Sequence, residues 1–212
     1  MGSSGPLQGP SPQQYGPTGV SSALPDAEEA HVRPDGTVLQ VTSNGRLEVF
    51  GFEGSATLRL VTLTGEIRAT SRTYNLTQDG TYGQFIGASG ADDGFGFQMD
   101  ATLIQLSSSP DFRTNIGLVN LAEGPVEVEI HLYNGDGTML GVVARQLGPF
   151  EMKQVDRTFQ SVTSQPVDSG YAVVKMLTTG GEVHAYASVV DNGSNDPVYV
   201  AAQPLSDTSP FM

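Results

Sequence analysis

The sequence predicts an all-β protein: two antiparallel β-sandwich-like modules in tandem, the first truncated, behind a flexible Pro/Gly/Ser-rich amino-terminal arm. Three observations predict it. Short runs rich in Val, Ile, Thr and Tyr recur with Gly, Asn, Asp and Pro between them, which is the punctuation of strands and turns. The 26 glycines and 13 prolines leave few stretches long enough for apolar-periodic helices. The chain also repeats itself. Residues 54–69 (GSATLRLVTLTGEIRA) align without a gap on residues 170–185 (GYAVVKMLTTGGEVHA), at an offset of 116, with six of sixteen positions identical. About one identity is expected from average residue usage, so the repeat reads as a duplication.

The elements follow in order. Residues 1–35 form the arm: the stretch up to about residue 23 is Gly/Pro/Ser/Gln-rich and holds too little apolar surface to order itself. One acidic helical turn is expected at residues 26–31, DAEEAH. The truncated module spans 36–90, with strands at 37–42, 46–52, 56–63, 66–75 and 82–86. Asn44-Gly45 between the first two is a strong two-residue hairpin signal. Residues 91–100 are rich in glycine and aspartate and read as a linker.

The second module, 101–205, is a complete sandwich followed by a tail, 206–212. It opens with a strand at 102–106 and continues with one at 113–121. The clearest strand is 126–133, VEVEIHLY: Val126, Val128, Ile130 and Leu132 alternate with Glu127, Glu129, His131 and Tyr133. That is the pattern of a half-buried antiparallel strand. Asn134-Gly135-Asp136-Gly137 turns the chain into 139–146. Then come 151–156, a helical turn at 158–162, and strands at 171–178, 182–190 and 197–202. At the repeat offset, nothing in the first module corresponds to RTNIGLVNL (113–121) or VEVEIHLY (126–133). The first module therefore keeps about five strands and lacks two; it is incomplete, or a smaller self-sufficient sheet, or it packs on the second as one continuous sandwich.

Composition narrows function. Ten Lys+Arg against 23 Asp+Glu give a net charge of −13, a surface that repels phosphate backbones and anionic lipid. No nucleic acid and no membrane insertion are expected, since no stretch is long and apolar enough to span a bilayer. Cysteine is absent, which removes disulfides, thiol catalysis and thiolate metal ligands. The opening residues have neither the basic region nor the apolar core of an export signal.

The segments at 112–120 (FRTNIGLVN), 186–192 (YASVVDN), and 71–75 (SRTYN) with 80–85 (GTYGQF) resemble a recurrent β-sandwich module of long, repetitive secreted and surface proteins of environmental bacteria. The resemblance covers residues 38–202. It implies an extracellular building block with no catalytic residues to carry over. Two modules make a poor stalk unless they polymerise.

No enzyme is expected. His31, His131 and His184 lie far apart in sequence and form no metal-ligand spacing. Gly87-Ala88-Ser89-Gly90 lacks the spacing of a nucleophile elbow. Asp168-Ser169-Gly170 occurs once, whereas the aspartic-protease turn needs two. The Gly-rich stretch 90–96 precedes no helix. No cofactor is expected. Asp92-Asp93 and the 191–196 loop, with Asp191 and Asp196, are weak calcium candidates, against the plain preference of Asn and Asp for turns. Asn75 and Asn192 head glycosylation triplets that the repeat places at nearly the same loop. Tyr74, Tyr82, Tyr186 and Tyr199 are candidate stackers for sugars, or ordinary strand packing.

The functional expectation is a structural subunit of an extracellular filament or surface matrix. Its partner would be itself, head to tail, joined by strand addition into the incomplete module. The arm is the expected donor, with Leu7, Tyr15, Val20 and Leu24 as its apolar residues. The 37–41 strand or the 198–205 segment could serve instead. The alternative expectation is a monomeric extracellular module binding a ligand or carbohydrate.

Overall fold

A computed structural model describes residues 20–21, 27–32, 38–42, 47–50, 70–77, 80–90 and 93–205. The fold is all-β, the described strands pair antiparallel, and a short 3-10 helix lies at Thr158–Ser161. The described strands fall into two compact units. One holds β1 (Val20–Ser21), β2 (Ala27–Val32), β3 (Val38–Thr42) and β4 (Leu47–Phe50) as a four-stranded meander in sequence order.

The other unit begins with a hairpin, β5 (Thr70–Thr77) and β6 (Gly80–Gly87), paired without a break from Thr70↔Gly87 to Thr77↔Gly80. After it come β7 (Phe95–Gly96), β8 (Asp100–Ser108), β9 (Phe112–Asn120), β10 (Val126–Asn134) and β11 (Met139–Leu147). β12 (Met152–Val155), β13 (Val167–Met176), β14 (Glu182–Asp191), β15 (Pro197–Ala201) and β16 (Gln203–Leu205) complete it. They form two sheets, ordered β11-β10-β13-β8-β16 and β12-β9-β14-β15, with β7 added to the end of β14.

The core is what strand alternation dictates. Val126, Val128, Ile130 and Leu132 of β10 are buried, and they meet Ile116 and Leu118 of β9 and Val183, Ala185 and Ala187 of β14 in one cluster. β8 departs from strict alternation. Ala101, Leu103 and Leu106 are all buried, because Gln105 adopts φ 59° in a bulge that shifts the register against β13. Gly137, at φ 88°, closes the β10–β11 turn in a conformation that costs a side chain energy. Phe159, on the 3-10 helix, is fully buried in the same cluster.

Buried Asn120, at the end of β9, pins two loops to the core. Its Nδ2 donates to the carbonyls of Gly124 and Gly148, both at 2.7 Å, and its Oδ1 accepts from Ala122 N–H at 2.9 Å.

Several expectations need correction. The acidic turn expected at 26–31 is strand β2, paired from Ala27↔Thr42 to Val32↔Val38; the ladder overrides a weak local helical preference. The arm expected to run to residue 35 is therefore partly in a sheet, and its Val20 pairs with His31. The linker expected at 91–100 supplies Phe95, buried at 1% exposure and paired with Val183. The burial of one large aromatic outweighs the glycines around it. The strands expected in a single first module are divided between the two units, β3 and β4 in one and β5 and β6 in the other. The repeat itself, 54–69, lies outside the described residues. Its offset of 116 nevertheless carries the β5–β6 hairpin onto 186–193 and 196–203, the region of the β14–β15 hairpin.

Candidate functional site

The outward side of the sheet containing β14 carries polar and aromatic side chains, among them His184, Tyr186, Ser188 and Tyr199. Tyr186 of β14 stands opposite Gly117 of β9, and its ring occupies the space that a side chain at 117 would fill. A Cβ there would lie 2.2 Å from the ring. On its other flank Tyr186 stacks on Tyr199 of β15, centroids 5.4 Å apart, and its hydroxyl reaches Gln154 Oε1 at 3.4 Å. Burial raises the hydroxyl pKa of both tyrosines. The rings are thus committed to the sheet and to each other. Packing accounts for them, as for the second stacked pair, Tyr133 and Tyr171, on the opposite sheet. The side chains of Tyr74 and of the arm residues Leu7, Tyr15 and Leu24 lie outside what the structure describes.

The chain leading out of β6 runs along this outward side, antiparallel to β14. Gly83 N–H donates to Asp196 Oδ1 at 3.2 Å, and Ser188 Oγ donates to Gln84 Oε1 at 3.1 Å. Ser89 Oγ lies 3.3 Å from His184 Nε2, after which Phe95 pairs with Val183. Ser188, although outward, is buried at 6% exposure. Burial holds the His184 pKa below its ordinary value, partly opposed by Asp93. A serine beside a neutral imidazole has the look of a nucleophile pair. The neighbouring Gly90 N–H donates to Asp93 Oδ2 at 2.6 Å and is therefore committed to its own turn. His131 lies on the other sheet, 2.8 Å from Glu129 Oε2.

The 191–196 loop is organised by its own donors. Asp191 Oδ1 accepts from Gly193 N–H, Ser194 N–H and Ser194 Oγ, and the Ser194 backbone bond is the main cause of its lowered pKa. The Arg113 guanidinium donates to Asn192 Oδ1 at 2.8 Å and to Asn195 Oδ1 at 3.0 Å, the place where a cation would otherwise be sought. Turn chemistry and one arginine explain this geometry without a metal. Asp92 lies outside the described residues, and Asp93 caps its own turn. Asn192 Nδ2, the atom a glycan would take, donates to Pro110 O at 3.0 Å. Asn75 lies within β5, paired with Tyr82, rather than in the expected loop. Asp168 is exposed where β13 shifts register, and with Asp111, Ser107, Ser109, Phe112 and Val189 it lines an open depression of about 330 Å³.

The sheet edges are the remaining candidates. β12 is four residues long, β15 begins at Pro197, and β16 is three residues with Pro204 at its centre. Short edges and prolines present few free ladder groups. The sequence reading missed this property and also Asn120. Both depend on which strand ends up outermost, or on which loops meet, and neither is written in local pattern. Comparison with family models, with curated proteins and with solved structures returned no match.

Proposed function

We propose that this chain is a non-enzymatic structural subunit of an extracellular filament or surface matrix, joined head to tail by strand addition at its amino-proximal strands. The observation that carries the reading is the β5–β6 hairpin. It has eight continuous ladder pairs and forms, among the described residues, a two-stranded sheet. One face of β6 already lies on the sandwich, where Gly83 N–H donates to Asp196 and Ser188 Oγ to Gln84, so among the described residues the hairpin gains most from a third strand at its edge. The sandwich beside it supports the same assignment. Its core is closed by its own side chains, and three of its four edges are short or carry proline. Those three edges are poor acceptors, and head-to-tail addition is assigned to residues before 90. The tyrosines that a sugar-binding module would display are packed against the sheet, which weakens the alternative of a monomeric carbohydrate binder.

The test is negative-stain microscopy with light scattering across a wide concentration range. Fibres that vanish or change on deletion of the first 25 residues are expected. Discrete monomers at every concentration would overturn the proposal.

A further inference from the structure

The fourth edge of the sandwich is different in kind. β11 is outermost in its sheet and nine residues long, Met139–Leu147, and it pairs with β10 along nearly its whole length. It has no proline and no acidic residue, and Val142 on it is 41% exposed. A long edge without proline or carboxylate, here paired in register from Gly141 to Leu147, is a template for another strand. On this edge two backbone acceptors are already filled. The Arg145 guanidinium donates through Nη1 to the Ala144 carbonyl at 2.8 Å. Lys153, reaching over from β12, donates through Nζ to the Gln146 carbonyl at 2.6 Å and is steadied by Glu151 Oε2 at 3.2 Å. Residues two apart on a strand aim their backbone groups the same way, so Val142, Ala144 and Gln146 share one side. Side-chain donors take two of those three carbonyls, so that side faces away from β10.

We propose that β11 is a pairing edge for the β11 of a second copy, held shut by Arg145 and Lys153. The occupant follows from the chemistry of the strand. The strand itself carries no carboxylate, so two copies of β11 meet without acidic residues facing each other along it, and the flanking Glu127 and Glu151 are tied to Gln146 and Lys153. Antiparallel self-pairing is isologous and closes as a dimer, extending the five-stranded sheet into a continuous ten. In the native chain the two cations must first be released, and each paired edge would hold two of them without their carbonyl partners. Removing the donors removes that obstacle. This joint is separate from the head-to-tail one proposed above, which lies before residue 90.

The experiment compares full-length chain with the double variant Arg145→Met, Lys153→Met. Methionine keeps an unbranched stem and deletes the donors. Sedimentation velocity is expected to show, in the variant, a concentration-dependent association step additional to any head-to-tail association that the native chain shows. Hydrogen exchange at the amides of Val142, Ala144 and Gln146 is expected to slow at least about tenfold at high concentration. The pair Arg145→Lys, Lys153→Arg, which retains cationic donors, is expected to behave as native. Should the double variant not fold, each single exchange is measured, with association expected to be intermediate. Folded variants with native sedimentation and native exchange at those three amides would overturn the proposal. So would an equal association step in the cation-retaining pair.

Discussion

Gly117 is the position where a single methyl group should have the most informative effect. A Cβ at 117 would sit 2.2 Å from Tyr186 Cε1 and Cζ and 2.6 Å from its hydroxyl oxygen. Comfortable carbon contacts begin near 3.5 Å, so the ring must retreat by about 1.3 Å. Retreat is blocked on one flank by Tyr199, whose centroid is 5.4 Å away. Overpacking of this kind costs about 1–3 kcal/mol. For a chain of this size each kcal/mol lowers Tm by roughly 2–4 °C, so Gly117→Ala is expected to lose about 6 °C. The same substitution in a Tyr186→Ala background meets no ring. There alanine should be neutral or stabilising by about 0.5–1 kcal/mol, since glycine in a strand is the entropically costly residue. The loss is thus abolished or reversed in sign between backgrounds, with a coupling of roughly 1–4 kcal/mol in a double-mutant cycle. Calorimetry or urea denaturation of the four proteins measures it. An equal loss in both backgrounds would refute the idea that the glycine exists to seat the tyrosine.

Two further outcomes follow from buried polar groups. Asn120→Ala leaves the carbonyls of Gly124 and Gly148 and the N–H of Ala122 without their partner, so a loss of about 3 kcal/mol in the urea midpoint analysis is expected; a loss below about 1 kcal/mol would show that water replaces the side chain. His184 is held neutral by burial, so its folded pKa lies below the unfolded value of about 6.5. The unfolded chain then binds the proton first, and the stability from neutral His184 is fully present above pH 6.5 and declines as pH falls toward the folded pKa. His184→Gln should flatten that slope below about pH 6.5, and a variant with the native slope would show that another group titrates there.

The candidate site was legible in the sequence only in part. Tyr186, Tyr199, Asp191, Asn192 and His184 stood out by residue type, but type alone left each open between ligand chemistry and packing. The structure adds Gly117 as the seat of the Tyr186 ring and Arg113 as the partner of the 191–196 loop. Both partners are remote in sequence and carry no motif.

By itself, the sequence determined the class and the local elements of the second sandwich. Alternation in Val126–Asn134 and the Asn-Gly-Asp-Gly turn depend only on neighbours within a few residues, and such terms survive without a fold. Tertiary structure decided the rest. A ladder to β3 made a strand of an acidic segment that local preference would have wound into a turn. A bulge at Gln105 turned Leu103 and Leu106 to the same face, and the order of strands in the sheet made β11 an edge. Each of these outcomes is set by pairing between residues far apart in the chain. The energy of such a contact belongs to two positions at once, so neither position announces it alone.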